Sequence, residues 1–217
     1  MLKRGLALLG LGSALAATAA PDPALYEPLF CDRPALYRPA SADDAAPWQR
    51  LVFDPAAVAP ALRALAEDRA ADSRVRALAY GALRERRMPV PAAELLGVVF
   101  EVEVNGGVDV LAAYADGRLR YLNHGGRVAL FDALPASLHE HWQALIAAAR
   151  AGAAEAQPWQ RGQSPPPGPG EARISFVRSD GLGMLQGRLD RLQARPAGGP
   201  LLLAGAQTVA QIVQVLR

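Results

Sequence analysis

The chain has a single cysteine, Cys31, so it cannot close a disulfide within itself. In an oxidising compartment such a thiol is either buried and quiet or paired with another chain. A catalytic cysteine needs a base and an orienting group, and no local signature supplies them. Aromatic residues make up only 6% of the chain, and Trp48, Trp142 and Trp159 lack the spacing of a sugar- or base-stacking module. Packing is the usual use of such isolated tryptophans. No G-x-S-x-G nucleophile elbow is present, and no glycine pair completes a phosphate-binding loop ahead of a helix. Long apolar runs are also missing. After the first residues nothing approaches the ~18 uninterrupted apolar positions of a membrane-spanning helix.

Those first residues carry an address. Lys3 and Arg4 form a basic head, Gly5 to Leu15 an apolar run, and Ala17-Thr18-Ala19 a small-residue cleavage pattern. This predicts a signal peptide over 1–19 and a periplasmic or secreted protein, with an uncleaved anchor as the alternative. Cleavage after Ala19 lowers the 23 basic residues by two, to match the 21 acidic ones. A mature chain without net positive charge has no electrostatic grip on nucleic acid. No membrane span is expected after cleavage.

The stretch 97–131 organises the rest. Val98, Phe100, Val102 and Val104 alternate with Glu101 and Glu103, the period of a strand. Asn105-Gly106-Gly107, Ala115-Asp116-Gly117 and His124-Gly125-Gly126 are tight-turn sequences, so four strands form an antiparallel meander. Before it, the Pro-rich segment 20–53 predicts an extended arm whose Tyr26, Leu29, Phe30, Leu36 and Tyr37 dock on the body. Asp54-Pro55 starts a helix running to about Asp68, with a start near Pro60 as the alternative. Asp72-Ser73 caps a second helix, whose apolar stripe includes Val75, Leu78 and Ala82. Arg84, Arg86 and Arg87 suit its C-terminal end, an anionic surface being the other reading. After the meander come a helix over 134–152, a Pro-rich loop over 158–170, a strand pair within 172–187 and a last helix over 201–216. The expected class is α+β: one domain over 54–217, an antiparallel sheet with helices on one face.

Candidate chemistry is sparse. His139 and His141 stand two apart on a helix and point in different directions, so no metal site is expected there. Glu101 and Glu103 share a strand face, read as solvated and paired with Arg118 or Arg120. Asp109, Asp116 and His124 can be assembled with Glu101 into an acidic and histidine site, although turn chemistry accounts for two of them. No cofactor is expected.

Three segments carry a resemblance: Ser73 to Tyr80, Glu94 to Val99, and the GGVDVLAAYADG run from Gly106 to Gly117 with Arg120 to Asn123. They resemble a family of uncharacterised bacterial proteins over roughly 50–217. The resemblance implies one coherent domain and brings no activity, ligand or catalytic residue. The element order is similar to secretion-chaperone-like and, loosely, profilin-like α+β folds, which does not fix function. The sequence therefore points to a non-catalytic extracytoplasmic protein that is structural or binds a protein partner or a second copy of itself. The alternative is a small hydrolase or ligand-binding enzyme with its site on the meander.

Overall fold

The tight turns of the meander build the sheet. β1 (Leu95–Val104) passes to β2 (Gly107–Tyr114) through Asn105 and Gly106, whose φ values of 51° and 85° make a two-residue left-handed hairpin turn. β3 (Leu119–Leu122) and β4 (Val128–Phe131) follow three-residue turns ending in Gly117 and Gly126, both at positive φ. All four strands pair antiparallel in sequence order. The later pair, β6 (Glu171–Arg178) and β7 (Gly181–Arg188), joins the sheet beside β1. A short strand, β5 (Gln157–Trp159), opens the Pro-rich segment and pairs with β7. The sheet order is β4-β3-β2-β1-β6-β7-β5. This computed structural model describes residues 21–162 and 164–217; the signal peptide expected over 1–19 lies outside them.

One face of the sheet is covered by α5 (Ala136–Ala153), α6 (Leu189–Gln193) and α7 (Gly198–Val215). Leu138, Leu145 and Ile146 of α5 and Leu201 and Ile212 of α7 pack on Val98, Phe100, Leu111, Ile174 and Phe176. The approach is close. A Cβ at Gly152 would lie 2.8 Å from Leu201 Cδ2 and 3.1 Å from the Phe176 ring, so a side chain there would push α5 away.

The other face is covered too, which corrects the expectation of helices on one face only. It carries α1 (Pro23–Tyr26), 3-10 turns over Glu27–Phe30 and Pro34–Tyr37, α2 (Pro47–Phe53), α3 (Ala59–Glu67) and α4 (Ser73–Glu85). Leu29, Phe30, Leu62, Leu78, Tyr80 and Leu83 bury Val99, Val110, Ala112, Tyr114 and Val177 from this side. Tyr114 fastens the arm by donating to the Leu29 carbonyl at 2.8 Å. The arm is thus a series of short helical turns, not an extended strap. Pro23, Pro28, Pro34 and Pro47 sit in the first turn of each, where a missing N–H leaves no hydrogen bond unmade. The same rule moves α3 to the later start, with Pro60 in its first turn, while Asp54 instead accepts from Ala56 N at 2.8 Å. α4 begins as expected, Asp72 accepting from Arg74 N at 2.8 Å.

Candidate binding site

The seven residues singled out on the meander do not form one site. Glu101 is only 1% exposed, which corrects its reading as a solvated surface group. Its partner is neither Arg118 nor Arg120 but Arg173 of β6, whose Nε and Nη2 donate at 2.7 and 2.8 Å. Tyr26 adds a third bond from its hydroxyl at 2.6 Å. Glu103 accepts from Gly106 N at 2.6 Å and holds the β1–β2 turn. Asp116 accepts from Ser73 N at 2.7 Å and from Arg118 Nη1 at 2.5 Å, tying the β2–β3 turn to the start of α4. Arg120 is buried, and with Arg118 it converges on Asp132.

Asp109 and His124 do meet. Asp109 is buried on the α7 side of the sheet, the face opposite to Glu101. It accepts from Tyr121 Oη at 2.7 Å and from His124 N at 2.9 Å, and it lies 2.5 Å from His124 Nδ1. Burial and then the Asp109 charge push the Tyr121 phenol well above its usual pKa, so it stays a donor. The cavity beside this cluster is ≈ 40 Å³ and walled mainly by apolar side chains. That is room for little more than a water.

The spacious concavity lies elsewhere, among the arm, α4, β5 and the β6–β7 turn, with a volume of ≈ 790 Å³. Four arginines line it: Arg33, Arg84, Arg161 and Arg178. Two acids, Asp32 and Asp180, share the lining and Glu27 pairs with two of the arginines, so among the described residues four arginines face three carboxylates, a small excess of positive charge. Each arginine is placed by its own element. Arg161 lies 4.2 Å above the Phe30 ring and pairs with Glu27 at 2.8 Å and Asp32 at 3.3 Å. Arg33 shares Glu27 at 2.7 Å. Arg178 faces Asp180 at 3.0 Å across the tight turn. Arg84 differs, because its guanidinium donates to the Ser179 carbonyl and no carboxylate among the described residues stands within ion-pair distance. Desolvation lowers its pKa, and the more distant Asp180 and Glu85 charges offset only part of that. A cation in this position gains from an anion brought beside it.

Phe30 and Trp159 form a buried aromatic pair beneath the groove, their ring centroids 6.4 Å apart, with Arg161 over the first ring and Arg173 over the second. Trp159 is 7% exposed, and its indole N–H has no hydrogen-bond partner among the described residues. Cys31 also lines the groove, but burial pushes its thiol up to about 12, leaving it protonated and a poor nucleophile. The arrangement suits a ligand with negative charge.

Sequence reading singled out Arg84 among these arginines and missed Arg33, Arg161 and Arg178. Its neighbour Arg86 turns away, donating to the Ala57 carbonyl at 2.5 Å. Past Lys3 the chain has no lysine, so every later side-chain cation other than histidine is an arginine and none stands out. Among the described residues no group of His, Cys, Asp and Glu is arranged to hold a metal ion. Among them, too, no helix is long and apolar enough to cross a membrane. No family model matches the chain, and no curated protein matches it.

Proposed function

We propose that the protein is a non-catalytic, periplasmic or secreted binding protein that holds an acidic segment of a partner protein in the arginine-lined groove. The observation that carries the reading is Arg84, a desolvated guanidinium with no ion-paired carboxylate among the described residues, in a ≈ 790 Å³ concavity. Arginine clusters recognise acidic motifs because the planar guanidinium fork matches a carboxylate. The extracytoplasmic address rests on the signal pattern of residues 1–19.

Fluorescence anisotropy tests it, with a labelled Asp-Glu-Phe-Asp-Glu peptide and its Asn-Gln-Phe-Asn-Gln counterpart. The acidic peptide binds, the neutral one does not, and affinity falls with salt. Arg84→Gln weakens binding about tenfold, the scale of one lost hydrogen bond between charged groups. Equal binding of the two peptides, or none, defeats the reading.

A second reading keeps the hydrolase or ligand-binding enzyme on the meander. It draws on the Asp109–His124 contact, a carboxylate orienting an imidazole. It requires the ≈ 40 Å³ cavity to open. A model ester turned over by the wild type and not by His124→Ala would favour it over the binding reading.

A further inference from the structure

The two edges of the sheet are finished differently. β5 is three residues long with Pro158 at its centre, a strand that cannot offer a full ladder to a neighbour. β4 at the other edge has no proline, and its Val128 and Leu130 are 42% and 51% exposed. From this edge we propose that two copies of the chain pair β4 to β4, antiparallel, about a two-fold axis at Ala129, joining their sheets into one.

The backbone sets the register. Asn123 N donates to the Arg127 carbonyl at 2.8 Å, and Tyr121 stands opposite Ala129 and Leu119 opposite Phe131. Bonded and non-bonded pairs alternate along an antiparallel ladder. Arg127, Ala129 and Phe131 therefore bond inward to β3, while the N–H and C=O of Val128 and Leu130 point away from the sheet. With the axis at Ala129, Val128 falls opposite the partner's Leu130, and every outward backbone group of both strands finds a mate.

The side chains fit the same register. Val128 and Leu130 lie on one face of the strand and each meets the partner's apolar residue there. On the other face the small Ala129 meets itself at the axis. Arg127, exposed and without an ion-pair partner among the described residues, falls opposite the partner's Phe131, an aromatic ring that a guanidinium can cover. Moving the axis to Leu130 instead sets Val128 against the partner's Asp132, a carboxylate already committed to Arg120. The self-complementarity of this one register names a second copy as the occupant. The surface lies at the sheet edge remote from the arginine groove, so dimerisation and peptide binding stand or fall separately.

Light scattering coupled to size-exclusion chromatography over a concentration series tests the pairing. The expected result is a mass that rises from one chain toward two with concentration. Leu130→Lys places a like charge on both strands and holds the chain monomeric, with unchanged circular dichroism and melting. Val128→Lys, on the same face, repeats the test should the first variant fold poorly. A wild type that stays monomeric throughout overturns the proposal, including one whose edge takes up a different protein. A dimer that persists in both well-folded variants overturns it as well.

Discussion

The two faces of the sheet are buried by different chemistry. Under α5 and α7 the core is mainly apolar; among the described residues its buried charges include Asp109 and Arg178, whose guanidinium donates to the Ala153 carbonyl of α5. On the opposite face, charge is buried together with the core. Glu101 meets Arg173, Arg76 meets Glu94 at 2.6 Å, and Asp116 reaches across to Ser73. The first face is held by two long helices, the second by α4 together with shorter, proline-started helices and turns, and its contacts to the sheet are partly polar. Area removed from water explains most of the first, and it depends little on pH. The second depends on each charge keeping its partner, and its rim is where arginines line an open groove.

Substitutions can break this contrast. The largest effect is expected on the charged face. Glu101→Gln leaves Arg173 buried without its counter-charge and costs ~3–5 kcal/mol in urea unfolding. The double change Glu101→Leu with Arg173→Met recovers most of that loss, because an apolar pair of similar volume replaces the ions. Leu145→Ala, fully buried on the apolar face, costs ~2–5 kcal/mol, and no second substitution on another element restores it. Asp109→Asn weakens the bonds from Tyr121 and His124 and costs ~1–3 kcal/mol, read as a lower melting temperature.

The smallest effect sharpens the contrast through pH. Burial alone would raise the Asp72 pKa, but the Arg74 hydrogen bond and charge, with Arg118 beside them, outweigh it and hold the carboxyl below its usual range. A depressed folded-state pKa stabilises the fold above the unfolded value of ~3.9, and that share is lost as pH falls through the folded value. Asp72→Asn keeps a capping side chain and removes the charge. It flattens the acid limb of the stability curve by less than ~1 kcal/mol, measured by urea unfolding between pH 5 and pH 2.

The meander was legible because its turn residues act locally. Asn105-Gly106 and Gly117 adopt the positive φ that their chemistry favours. The second covered face was legible in part and overlooked. Leu95 to Phe100 is an unbroken apolar run, the mark of a strand buried on both sides, whereas the alternation farther along suggested one open face. The prolines of the arm misled because proline forbids helix interiors and favours helix starts. Glu101 looked solvated because its partner stands 72 residues away, on a strand whose place beside β1 no local pattern announces. The groove was hidden for the same reason. Arg33, Arg84, Arg161 and Arg178 come from four separate segments of an arginine-rich chain.

Nuclear magnetic resonance of the isotope-labelled protein, titrated with the acidic peptide, tests the binding account most directly. The account predicts saturable shifts in the Trp159 indole N–H and the Nε–H signals of Arg84, Arg161 and Arg178, with Asn123 and His124 unmoved. Shifts centred on Asn123 and His124, or none in the groove at saturating peptide, would contradict it.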